Sequence, residues 1–441
     1  MKTLKKVLAA STALLLSLGI VACGNNESKD PDKDTANQQQ EEETSGDEVH
    51  LKWALWDLET TAYWKEMANA FEKENENVKI EMVDLGSTDY MTVLTTQLSG
   101  KNSEFDIITI KDIPGYANLI SLEALEPLND MMDERNINAD DFGGIVDQIT
   151  SDGKVYGLPF RSDFWVIFYN KDLFDEAGVD YPTNDMTFEE YDALARKMTS
   201  GEGNEKVYGA HYHTWRSAVQ LFGILDGKHT IIDGEYDFLE PYYEMVLDQQ
   251  KDGICQDYAM LKTGKIHYSG VFQNNQAAMM NMGSWFISTM QTYNIENPDQ
   301  AVNFGIVKYP HAEGIEPGTT LGTITSLGIN SNSEHKKEAA DFIDWAVSEE
   351  GAKVIAETGT FPARSSAEIS EILSSSEGFP ADENSIDALE TYKVYLEMPM
   401  HPKSADIETA LNNSHDNIMT ENISIEDGLA EMTRDVQDVL K

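Results

Sequence analysis

From Val49 onward the spacing of apolar positions changes in a regular order. "VHLKWALW" (49–56) and "VKIEMVDL" (78–85) mix apolar with polar positions as half-covered strands do, and "FDIITI" (105–110) is apolar throughout, as a buried strand is. Between the first two lies "TAYWKEMANAFEKENEN", where Tyr63, Met67, Ala70 and Phe71 recur at helical spacing. A second helix is predicted over Asp89–Ser99, with Tyr90, Val93, Leu94 and Leu98 on one face and Gly100 as its stop. Strand, helix, strand, helix, strand predicts an α/β domain with a largely parallel sheet. Ligands of such sheets sit beyond the carboxyl ends of the strands. That rule places Trp56, Asp57 and Lys111-Asp112 at a binding rim.

Further along, "KVYGLPFRSDFWVIFYNKDLF" (154–174) reads as one long strand with a short polar interruption at Arg161–Asp163. "TFEEYDALARKM" reads as a helix opened by a Thr187…Glu190 capping box. "HTWRSAVQLFGI", "EPYYEMVLDQQKDG" and "NQAAMMNMG" predict helices and connectors, and "VNFGIVKYP" and "TSLGINSNS" strands. "SEHKKEAADFIDWAVSEEGAKVIAET" and the tail from Ala405 are helical in pattern.

The N-terminus differs from all of this. Lys2, Lys5 and Lys6 precede "VLAASTALLLSLGIVA", about the length of a secretion signal and short for a membrane span. Ile20-Val21-Ala22-Cys23 has the form of a bacterial lipobox, with Cys23 as the lipidated residue. Residues 24–48 hold no aromatic and almost no apolar side chain, so they read as an acidic tether.

At 441 residues, the chain exceeds what one core usually spans, so two domains are expected. The formal net charge is −46, and three units more negative once the leader lysines are removed. Such a field repels phosphate backbones, which excludes nucleic-acid binding, and it disfavours acidic ligands. After Cys23 only Cys255 remains, so neither an intrachain disulfide nor a cysteine zinc site is available.

No nucleophile elbow, P-loop or H-E-x-x-H is present. His211 and His213 in "GAHYHTW" lack an evident third metal ligand, so they read as loop or pocket-lining residues. Acidic pairs are too numerous, among 78 acids, for their count to indicate a glycosidase. The seven tryptophans are more informative. A pyranose has a face of C–H bonds that an indole covers and a rim of hydroxyls that Asp, Asn or Arg can hold. Trp285, after the methionine-rich "AAMMNMGS", reads either as such a plate or as core packing.

Four stretches together resemble the maltose-binding-protein-like group of extracellular solute-binding proteins (family 1), the receptors of carbohydrate ABC importers. They are "FDIITIKDIPGYANL", "VYGLPFRSDFWVIFYNKDLFDEAGVDYPTNDMTFEEY", "QAAMMNMGSWFIS" and "GINSNSEHKKEAADFIDWAVSEEGAKVIAETGTFPARSSA". Phe188 stands where the family usually has Trp, and "HPKSADIETAL" lacks the aromatic common in malto-oligosaccharide binders. The resemblance implies an α/β, two-lobed periplasmic-binding-protein-like fold (type II), each lobe a mostly parallel sheet flanked by helices, with the ligand cleft between them. The implied organisation is a signal peptide over 1–22, lipidated Cys23 and linker over 23–48, an N-terminal lobe of 49–162 plus 306–355, and a C-terminal lobe of 163–305 plus 356–441. Implied ligand contacts are Trp285, Asp163, Asp112, Trp215, Trp56, Asp57, Tyr212 and Arg364.

The expected function is capture of a neutral sugar or oligosaccharide by lobe closure and its delivery to a membrane permease. The expected protein is a monomer anchored outside the cell, without catalytic residues, metal or cofactor. A secreted glycosidase or lyase with a carboxylate pair is the alternative. A metal or peptide receptor on the same fold is a third.

Overall fold

Three short apolar runs near the start of the ordered chain lie side by side. In the computed structural model, which describes residues 48–441 apart from 101–103, 143, 365 and 392, β1 (Val49–Leu55) pairs in parallel with β2 (Val78–Asp84) and β3 (Ile107–Ile110). The leader, Cys23 and nearly all of the tether fall outside the described residues. The crossover helices span Ala62–Glu74 and Tyr90–Leu98. The first buries Tyr63, Trp64, Met67 and Phe71 against the sheet. Two indoles are pinned there by hydrogen bonds: Trp53 Nε1 donates to Thr109 Oγ1 and Trp64 Nε1 to the Trp56 carbonyl, each at 2.8 Å.

The remaining strands are β4 (Leu158–Asn170), β5 (Tyr208–His211), β6 (Ala277–Gly283), β7 (Phe304–Lys308), β8 (Thr319–Ile329) and β9 (Lys393–Leu396). Among the described residues they complete a mixed sheet in the order β2-β1-β3-β8-β4-β6-β5, with β7 on β4 and β9 on β8. Pairing is antiparallel wherever β4 is involved, and parallel between β5 and β6 and between β8 and β9.

Strand β4 changes partners along its length. Leu158–Phe164 pair with β8, whereas Trp165–Asn170 pair with β6 and β7. The polar interruption Arg161–Asp163 therefore falls just before the change of partners. Beyond it, Val166, Phe168, Met280, Met282, Phe286 and Ile306 form a second apolar cluster, while the alternate residues Trp165, Ile167, Tyr169 and Met279 belong to the large cluster that also holds β1 and β3.

The Thr187–Glu190 capping box forms as expected. "NQAAMMNMG" does not follow its expectation of helix and connector, because Ala277–Gly283 is strand β6. Every residue of β6 is buried. A strand covered on both faces has no polar alternation to reveal it, and a short apolar run then fits helix and strand alike.

Candidate functional site

One wall of the site follows β1 and β3. Trp56, nearly buried, has its ring centroid 5.3 Å from Trp64 and 4.9 Å from Tyr90. Lys111 lies over the same indole, with Nζ 5.2 Å from the ring centroid, and donates to the Ser87 carbonyl at 2.7 Å. Asp57 adopts a left-handed backbone (φ 51°), and its carbonyl accepts from Thr60 N–H in the turn that leads into the first helix. Asp112 caps the helix Ile113–Ser121, its Oδ1 accepting from Gly115 N–H at 2.7 Å. Burial raises the Asp112 carboxyl above its ordinary range, against the pull of that hydrogen bond and of Lys111.

The floor comes from β4. Asp163 is 1% exposed and forms an ion pair with Arg161, Oδ2 to Nε at 2.9 Å. Its Oδ1 accepts from Ser284 Oγ at 2.9 Å. Arg161 donates from Nη1 to Tyr63 Oη at 2.7 Å and from Nη2 to Thr325 Oγ1 at 3.0 Å, so one guanidinium ties β4, β8 and the first helix together. Burial raises the Asp163 carboxyl, while Arg161 and Ser284 oppose the shift.

An aromatic corner closes the other side. Trp285, half-buried, opens the helix Trp285–Glu296 directly after β6. Its ring lies 5.7 Å from Trp165 and 6.2 Å from Trp215, inclined by 82° and 60°. Trp215 is 37% exposed, stands 5.5 Å from Tyr268 and meets His213 edge-on at 4.5 Å. Tyr268 senses the charges of Asp57, Arg161 and Asp163, which brings this corner up to the opposite wall. Edge-to-face packing fixes the indoles at steep mutual angles and leaves apolar faces available for a flat ligand.

A third group was not legible in the sequence. Arg216 is buried and donates from Nε and Nη2 to Glu408 Oε2 and, at 3.4 Å, from Nη1 to Gln220. Glu397 follows β9, held by its N–H on the Gly322 carbonyl at 3.0 Å. Its carboxyl is pushed up to about 7, first by burial, with Arg216 opposing and Glu408 adding to the shift. Asp112 senses both Glu408 and Arg216, so this group also faces the first wall. Only the adjacency of Arg216 to Trp215 in "YHTWRS" hinted at it; nothing local marks Glu397 or Glu408 among so many acids.

Of the residues expected from sequence, Trp285, Trp215, Asp163, Asp112, Trp56 and Asp57 come together here. Tyr212 does not reach the aromatic corner. It is 4% exposed, its hydroxyl donates to Gln249 at 3.0 Å, and its ring packs on Tyr191 and Phe222. The guanidinium of Arg364 is turned to Asp141, at 2.9 Å. His211 is fully buried, with Nδ1 2.6 Å from Gln256 Oε1, and burial lowers it to about 4 and His213 to about 3, so both rings are neutral. Among the described residues no group of three or more His, Cys, Asp or Glu is arranged to hold a metal ion.

The arrangement can seat a neutral or cationic polyol: flat apolar plates on one side, fixed polar groups on the other. The model of the family described as bacterial extracellular solute-binding protein matches residues 56–353. A galactooligosaccharide-binding protein of Bacillus subtilis is 23% identical over 374 residues, covering 80% of this chain and 79% of its own. A lactose-binding protein of Rhizobium radiobacter is 23% identical over 308 residues, covering 66% and 68%. The crystal structure of a sugar transporter from Rhizobium etli, in an open conformation, superposes with a TM-score of 0.75 at 50% identity, covering 88% of this chain and 99% of its own.

Proposed function

The chain belongs to the family of bacterial extracellular solute-binding proteins, and from that membership we propose that it is the sugar receptor of an ABC importer, tethered to the outer face of the cell membrane through lipid on Cys23. Its family is one of binding proteins, so it is a binding protein rather than an enzyme, and the glycosidase or lyase alternative is set aside. It captures a sugar or oligosaccharide between its lobes and delivers it, as a monomer, to the permease.

The observation that carries this reading is the pair of accessible indoles, Trp285 and Trp215, opposite the fixed carboxylate Asp163. The indole faces cover the C–H face of a pyranose, and the acid, held by Arg161 and Ser284, accepts from its hydroxyls. Asp112, Trp56 and Asp57 add contacts from the first lobe.

In this reading the lobes follow the expected ranges, 49–162 plus 306–355 and 163–305 plus 356–441. The change of partners along β4 supports the first crossing near Asp163, whereas the pairing of β7 with β4 favours extending the second lobe to Lys308. Closure follows because the sugar touches both lobes and so binds the closed form better than the open one. A micromolar ligand contributes about −8 kcal/mol, ample for an offset of a few kcal/mol between the two forms.

A thermal-shift and calorimetric screen against mono- and oligosaccharides tests the reading. Stoichiometric binding that raises Tm and is lost in Trp285→Ala supports it. A protein that binds no sugar, or whose sugar binding ignores that substitution, overturns it.

A further inference from the structure

We propose that the protein carries a second ligand site, apart from the sugar site, which takes an organic polyamine, a chain of methylenes bearing ammonium groups. The site is the cavity of about 670 Å³ between the helix Ala62–Glu74 and the helix Trp285–Glu296. None of Trp285, Trp215, Asp163, Asp112, Trp56 and Asp57 lines it, so the two sites are distinct.

Gln291, on the second of these helices, lines the cavity and is 4% exposed. Its Nε2 donates to Ser376 Oγ at 2.7 Å and to the Glu377 carbonyl at 3.0 Å, and both of those residues belong to the same lining. Its Oε1 has no hydrogen-bond partner. That oxygen is turned to Gly359, another lining residue, where a Cβ would stand only 1.9 Å from it. Gly359 has a left-handed backbone (φ 75°), which a glycine adopts without strain. The side chain is thus fixed by its amide nitrogen, and its buried oxygen lacks a donor. Such an oxygen is costly to leave unsatisfied, and a ligand N–H that reaches it removes the cost.

The charges of the lining select a cation. Glu66, Glu357 and Glu377 face a single lysine, Lys73, and among the described residues none of the four is ion-paired. Ala62, Ala70, Val354 and Ile295 supply apolar surface in the same cavity. A metal ion does not match this lining. The space is many times the size of an ion, and among the described residues no group of three or more His, Cys, Asp or Glu is arranged to hold one. A polyamine matches every part: its ammonium groups donate to the carboxylates and to Gln291 Oε1, and its methylenes cover the apolar side chains. The volume falls within the roughly 300–1,000 Å³ of small-molecule sites. The strongly negative chain concentrates such cations around it.

The test titrates spermidine calorimetrically into the purified protein, without sugar, at pH 7 and physiological ionic strength. Spermidine should bind at one site per chain, and magnesium in its place should not. Glu66→Gln with Glu357→Gln should weaken spermidine at least tenfold. Glu202→Gln with Glu205→Gln, exposed acids outside the cavity, should leave it unchanged. Ile295→Arg, at a position 52% exposed, sets a guanidinium of the protein's own into the cavity and should abolish binding, with Tm showing that the variant is folded. Trp215→Ala should leave spermidine affinity as it is. Absence of saturable binding, one-site binding of magnesium, an equal loss in the Glu202 and Glu205 variant, or binding that survives Ile295→Arg overturns the proposal. Loss of spermidine binding in Trp215→Ala puts the amine in the sugar site and overturns it too.

Discussion

The indole of Trp285 occupies the space where Gly283 would carry a side chain: a Cβ placed on Gly283 would lie 1.9 Å from Cζ3 of the ring. Strand β6 ends on a glycine so that the aromatic plate can fold back over the backbone. Gly283→Ala should therefore displace the ring. The expected outcome is sugar affinity reduced about tenfold or more, with stability lowered by roughly 1–3 kcal/mol, as for an overpacked site. Calorimetry and urea unfolding of the one variant measure both.

The two accessible tryptophans should respond differently to truncation. Trp215→Ala removes an exposed face and should weaken sugar binding about tenfold with little change in Tm. Trp285→Ala also removes packing against Trp165 and both apolar clusters, so it should lower affinity and Tm together. Equal losses of Tm in the two variants would argue against this division of roles.

Asp163 and Arg161 should behave as a buried pair. Asp163→Asn leaves the guanidinium enclosed without its carboxylate and should cost about 3–5 kcal/mol, whereas Arg161→Leu with Asp163→Leu should cost less than the single change. Urea unfolding of the single and double variants checks the order. The Ser284 hydroxyl also loses a charged acceptor, so the single change should reduce sugar affinity as well.

Stability should fall on mild acidification. Burial lowers His211 to about 4 and His213 and His415 to about 3, from an ordinary 6.5. Between those values the unfolded chain binds protons that the folded chain refuses, so stability is lost as pH falls from 6.5 towards 4. Glu397 acts in the opposite sense: raised from 4.5 to about 7, it favours the folded state at low pH and loses that contribution as pH rises through 7. The raised carboxyls of Asp112 and Asp163 act in the same sense as Glu397, and the three histidines should still leave the unfolding midpoint lower at pH 4.5 than at pH 7. Glu397→Gln should raise Tm at pH 8 by about 3 °C and leave the acid limb in place.

Anchoring is a separate matter from binding. Cys23→Ser in the full chain should release the protein from the membrane fraction on cell fractionation while sugar affinity stays unchanged. Continued sedimentation with membranes would remove the lipid anchor from the account.

The alternation in β1 and β2, the apolar run of β3, the helical face of Tyr63, Met67 and Phe71 and the Thr187–Glu190 capping box were all legible in the sequence, because each is set by contacts within a few residues or by simple coverage of one face. Such signals set the α/β class, and the resemblance of "QAAMMNMGSWFIS" to the family pointed to Trp285 as a ligand contact. Distant pairings left no local trace. That β4 changes partners after Phe164, that Tyr212 turns inward to Gln249 and Arg364 to Asp141, and that Arg216, Glu397 and Glu408 meet beside Trp165 were decided by tertiary structure alone. Arg216 and Glu408 are separated by 192 positions. A charge is assigned its role by the groups that enclose it and the water it loses, and those are properties of the folded chain.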